Sequence, residues 1–322
     1  MQPIPPSFPS HESDRFPLDG TLERNQFGPG LTILAGLVIG FIAFQGLSAA
    51  VLVVTLIASG RLNDLTGMDP ATIVETFASE MLIANTVGQF LGLLLIGWVL
   101  ARLHTSRPLA MLRVRGTDWG TVALSVVGWV ALFPLVQWSG TFFDGLPWPE
   151  WLREFEQAQI DLIEQVMAAD LGFFFTLFTM AITPAICEEL FFRGYIQRQS
   201  ERLFGGWIAA VVFTGVVFGL YHLRITQAVP LSMLGIYMAY VVWRSNSLVP
   251  GVLVHLANNG FAVALGAYVA SSETLSLEDV ETMDIPVYIV VLSAIVFVGV
   301  VRMLHRRGGT ASRPHDGQTA ED

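Results

Sequence analysis

The apolar residues of this chain come in long unbroken runs, and that feature excludes most ways a polypeptide can fold. Eight runs lie at roughly 31–59, 82–103, 119–138, 171–192, 205–222, 228–244, 248–270 and 285–304. A run of about 20 apolar residues spans the hydrocarbon core of a bilayer as a helix. A closed barrel would need short segments of alternating polarity, and none are evident. Composition agrees: 53% of residues are hydrophobic and 14% charged, against about 25% charged in soluble domains. The expected fold is an all-α integral membrane protein of about eight transmembrane helices in one bundle. No linker separates two globular halves and no internal repeat stands out.

Charge placement predicts the orientation. The formal charge is −10, which argues against nucleic acid as a partner. Every basic residue is Arg. With the N-terminus inside, Arg15, Arg24, Arg102, Arg107, Arg113, Arg115, Arg198, Arg202, Arg244, Arg302, Arg306, Arg307 and Arg313 face the cytoplasm. Arg61, Arg153 and Arg224 face outward, and Arg193 lies within the membrane. Cytoplasmic loops retain positive charge, so both termini are expected there, in a bacterial or archaeal cell membrane. No cleavable signal peptide is apparent. Residues 1–30 hold six prolines and are expected to be disordered, as is the tail 305–322. The membrane domain is expected over 31–304. Cys187 is the one cysteine, so no intrachain disulfide can form. Residues 148–168 (WPEWLREFEQAQIDLIEQVMA) form an amphipathic pattern expected to lie as a helix at the outer interface.

Polar residues inside such segments are expensive and usually functional. Segments four, five and seven carry nearly all of them, reading CEELFFRGYIQ at 187–197, FGLYH at 218–222 and HLANN at 255–259. Residues four apart share a helix face, so Glu189 and Arg193 can pair. Glu188 points about 100° away and is left as a free carboxylate. Phe218 shares a face with His222, and His255 shares one with both Asn258 and Asn259, so spacing does not choose between the asparagines. A lone histidine in such a helix is commonly a hydrogen-bonded packing residue.

Helix arithmetic brings the three segments together. Counted from the turn near Phe204–Gly205, Glu188 and His222 both lie about 24–26 Å away, hence at one level. Counted from the next cytoplasmic turn at 245–249, His255 and Asn259 fall roughly 6–12 Å short of that level, and a kink at Pro184 or Pro250 could close the gap.

A carboxylate beside an imidazole can activate water and then protonate a leaving amine. An imidazolium N–H and an Asn amide can stabilise a tetrahedral oxyanion. That set suffices for amide hydrolysis. A zinc site on Glu188, His222 and His255 is the alternative, although no HExxH helix is present. Cys187 reads as a packing residue, and no G-x-S-x-G pattern supports a serine nucleophile. A transporter, an immunity factor or a scaffold would also keep buried polar groups.

E-E-x-x-x-R at Glu188, Glu189 and Arg193, F-x-x-x-H at Phe218 and His222, and H-x-x-x-N at His255 and Asn259 together resemble the CPBP family of CAAX prenyl endopeptidase-like and bacteriocin-processing (Abi) membrane proteases. The resemblance covers about residues 171–262. One departure is Thr214, where the family often has a serine. The resemblance implies an intramembrane endopeptidase whose polar catalytic cavity is formed by helices four, five and seven. Glu188 and His222 would activate the attacking water, and His255 and Asn259 would form the oxyanion site. Glu189, Arg193 and Phe218 would support the site or bind substrate. It selects Asn259 over Asn258. No metal is favoured, with zinc the possible cofactor. The implied partners are the lipid bilayer and a membrane-associated peptide substrate, which need not be prenylated.

Overall fold

A computed structural model describes residues 16–169, 171–272 and 285–307. Each of the eight apolar runs is helical. Six of these helices are long and apolar enough to cross a bilayer: α1 (Pro29–Ala58), α2 (Thr76–His104), α3 (Trp119–Asp144), α5 (Phe173–Phe204), α8 (Val249–Ala270) and α9 (Val287–Arg307). Between α3 and α5 runs the amphipathic α4 (Glu150–Ala168). Two shorter helices, α6 (Trp207–Tyr221) and α7 (Ala228–Ser245), complete the chain order. The described residues contain no β-strand. The protein is a multi-span helical membrane bundle.

The apolar content of each helix decides its place. α1 and α9 expose Leu34, Ile42, Val54, Leu292 and Ile295. Such surface is stable only against lipid or another apolar partner. α7 instead buries Leu234, Tyr237, Met238, Val241 and Val242 and packs along α6. Small residues let these two backbones approach, as is usual between membrane helices. A Cβ placed on Gly235 would lie 2.7 Å from the Gly215 carbonyl oxygen. α5 lies at the centre and touches α2, α6, α7 and α8. It alternates between α-helical and π-helical turns, the latter at Phe178–Ile182 and Leu190–Ile196.

Part of the segment expected to be disordered, residues 16–30, is packed on the bundle, and Phe16 is buried. The cause is Glu23. Its carboxylate accepts from both terminal nitrogens of Arg202 at 2.7 and 2.9 Å and meets His104 Nδ1 at 2.6 Å. Burial acts to raise the Glu23 pKa, but these bonds outweigh it and hold the group below its ordinary value. At the other end α9 continues to Arg307, which pairs with Asp118 at 3.2 Å. Residues 1–15 and 308–322, the remainder of the expected tails, lie outside the described residues.

Gly235→Leu should lower stability by about 1–3 kcal/mol, because the added side chain meets backbone that cannot move aside. Gly46→Ala, where an added Cβ meets nothing within 4 Å, should leave it unchanged. Thermal unfolding of the two variants in detergent checks the contrast.

Candidate active site

The α-helical turn of α5 between its two π-helical stretches carries Glu188 and Glu189. π-turns widen the local helix and recur at functional sites. Here the wider Leu190–Ile196 stretch still leaves Glu189 and Arg193 in contact. Arg193 Nη1 donates to Glu189 Oε1 at 2.7 Å, with both side chains 0% exposed. Arg193 Nη2 donates to the Gly235 carbonyl of α7 at 3.1 Å. Its guanidinium also lies 4.2 Å from the centroid of the Phe218 ring on α6, a desolvated cation–π contact.

Glu189 has a second partner. His255 Nδ1 lies 3.0 Å from the same Oε1 atom. A carboxylate oxygen accepts, so the ring donates from Nδ1 and its Nε2 points away from Glu189. Phe218 bridges the histidines, with its ring 5.9 Å from His255 and 4.8 Å from His222. His222 is the C-cap of α6 rather than an interior residue. Its Nδ1 meets the Phe218 carbonyl oxygen at 2.8 Å. A carbonyl can only accept, so Nδ1 carries the proton and Nε2 of the neutral ring is a base.

The asparagines separate by direction. Asn258 accepts from Trp129 Nε1 of α3 at 3.1 Å. Asn259 donates to the Met180 carbonyl of α5 at 3.2 Å, so Asn259 faces the helix that carries the glutamates. Glu188 differs from all of these. It is half-buried and makes no hydrogen bond or ion pair among the described residues. The turn that follows it, Phe191 and Phe192, packs on Tyr221 and Phe218 of α6.

Direct contacts therefore join Glu189, Arg193, Phe218, His222 and His255, with Asn259 anchored to the backbone of α5. Glu188 and His222 share no hydrogen bond. The three donors of the expected zinc alternative, Glu188, His222 and His255, do not assemble: among the described residues no three His, Cys, Asp or Glu side chains form a group that could hold a metal. Cys187 is buried in the apolar core.

His255 nevertheless meets Glu189 directly, and the turns that end α5 and α7 show how. The turn between α7 and α8 is recessed. Asn246 Oδ1 accepts from Arg198 Nη2 at 3.1 Å and from Arg113 Nε at 3.2 Å, while Arg113 also holds Glu201. These contacts hold the turn against the side of α5 within its last two turns, short of the α5–α6 turn. His255, 3.0 Å from Glu189, lies at its level. Sequence reading also missed Trp129, the Gly235 carbonyl, and Gly251, where a Cβ would lie 2.7 Å from Glu189 Oε2. Only the glycine had a visible signal, as a small residue one turn before His255.

Residues 170–261 match a family model described as type II CAAX prenyl endopeptidase, Rce1-like. The match contains all three polar motifs and agrees with the CAAX endopeptidase-like resemblance. No curated protein and no solved structure matches the chain.

Glu189→Ala should cost about 3–5 kcal/mol, since it strands a buried guanidinium. Glu188→Ala, with no partner to lose, should unfold within a few degrees of the parent protein. Thermal melts of both variants read the difference.

Proposed function

We propose that the chain is an intramembrane endopeptidase that cleaves a membrane-associated peptide with a water activated by Glu188 and His222. One observation carries this reading: of two adjacent carboxylates, Glu189 is tied to Arg193 and His255, while Glu188 makes no hydrogen bond or ion pair among the described residues. A membrane protein that needed only an ion pair has it without Glu188. An unpaired carboxylate in such a setting is expensive unless it is used.

In the proposed reaction Glu188 and the bare Nε2 of His222 take a proton from water as it attacks the scissile carbonyl. Negative charge then develops on the carbonyl oxygen. His255, protonated at Nε2 when the oxyanion forms, and the second amide hydrogen of Asn259 stabilise it. Glu189 holds the imidazolium in place, and Arg193 holds Glu189. The proton taken from water passes to the leaving amine, and the C–N bond breaks to give acid and amine. No step needs a metal. The arginine distribution supports a cytoplasmic location for both termini, with α4 at the outer interface. The match to a CAAX prenyl endopeptidase family supports a peptide substrate.

Purified protein in detergent should cleave a membrane-derived peptide, and Glu188→Ala or His222→Ala should slow it by at least ~10²-fold. Asn259→Ala should cost about 10²–10³ in kcat. Chelator should leave the rate unchanged, and elemental analysis should find no stoichiometric metal. Loss of activity to chelator with restoration by zinc would replace this mechanism with a metal-dependent one. Unchanged cleavage in the Glu188 and His222 variants would refute this mechanism, and no cleavage by the parent protein would leave a scaffold or immunity role in its place.

A further inference from the structure

The backbone that follows His222 is held by a residue outside the motif helices. α6 ends at His222, and the next residue, Leu223, has φ of +56°, a left-handed conformation that a branched side chain adopts only when its surroundings impose it. The turn then runs to Gln227, which offers α7 no side-chain cap. Its polar groups go instead to Glu156 of α4. One oxygen of that carboxylate, Oε1, accepts from the amides of Ile225 at 2.5 Å and Thr226 at 3.1 Å. The other, Oε2, accepts from the Thr226 hydroxyl at 2.5 Å. Glu156 is 3% exposed, on a helix whose Trp151 and Phe155 are exposed. α4 also packs on α8, the helix of His255.

We infer that Glu156 is a positioning residue, clamping the 223–227 turn so that the His222 imidazole is held in its working place. An amphipathic interface helix needs no acid on its buried face to stay at the surface. A carboxylate there that takes three hydrogen bonds from one turn is placed to fix that turn. The inference rests on the protease reading for His222, and it adds α4 to the machinery as the support of the base. It also commits to a mechanism: the acceptor geometry matters and the negative charge does not. A glutamine keeps the Oε1 acceptor for both amides and can donate to the Thr226 hydroxyl.

The test compares Glu156→Ala with Glu156→Gln in the full-length protein, by peptide cleavage and by amide hydrogen exchange. A small displacement of a catalytic group can cost up to about 10²-fold in rate. Glu156→Ala should lower kcat at least ~10-fold with KM nearly unchanged, and speed exchange at residues 223–227. Glu156→Gln should restore both. Unchanged kcat in the alanine variant, a loss confined to KM, or failure of glutamine to rescue would each overturn the clamp. If the alanine variant does not fold, Thr226→Val, which removes one of the three bonds, should show a smaller loss in kcat, and full activity there overturns the clamp. Should the parent protein cleave nothing, the protease reading fails by itself. Diethylpyrocarbonate labelling then still reads the clamp: His222 should label faster in Glu156→Ala with His305 unchanged, and equal labelling of His222 would refute it.

Discussion

A single buried carboxylate oxygen organises the centre of this bundle. Oε1 of Glu189 takes Arg193 from its own helix and His255 from α8. Through Arg193 the same knot reaches the Gly235 carbonyl of α7 and the Phe218 ring of α6. Four helices are thereby fixed in rotation about their axes by directional contacts rather than by apolar packing. Lipid gives helix association no hydrophobic driving force, so a bundle that must present a defined set of side chains needs such contacts. The cost of burying the ions is offset only while both partners remain and their geometry is good.

The consequence of that arrangement is a division of labour between adjacent residues. Glu189 and Arg193 have 0% exposure and their charges face each other. Glu188, one residue earlier and rotated out of the knot, keeps an unengaged carboxylate beside the end of α6. The π-turns on either side of the pair widen the helix there. The first also presents the Met180 carbonyl to Asn259. A second polar cluster, at the C-terminal end of α5, does a mechanical job. Arg113, Arg198 and Glu201 pull the Asn246 turn into the protein and so set the height of His255. Two buried ionic clusters on one helix thus serve different ends, one holding rotation and the other depth.

How much of this could be read in the residues follows from the range of the forces involved. The helices were legible because bilayer thickness imposes a length and an apolarity on each. The Glu189–Arg193 pair was legible because four-residue spacing acts within one helix. The depth of His255 was not, since it depends on a tertiary recess fixed by residues as far apart as Arg113 and Asn246. Straight-helix counting placed the turns after α5 and α7 at one height and left His255 too shallow. The choice of Asn259 over Asn258 came only with the family resemblance, and Trp129 shows why. The partner that turns Asn258 away lies on α3, about 130 residues distant in sequence. Glu23 defeated composition in the same way, because its contacts with His104 and Arg202, about 80 and 180 residues away, tie residues 16–30 to the bundle. Glu156 sat in an amphipathic pattern where an acidic residue is ordinary.

The central claim is that Glu188 performs chemistry while Glu189 holds the fold. The most direct measurement compares peptides from the membrane proteome of cells making the parent protein with those of cells making Glu188→Gln at equal abundance. The account predicts new peptide termini, in or beside membrane segments, that are present with the parent and absent with the variant. Identical peptide populations from the two, with the parent protein folded and in the membrane, would contradict it.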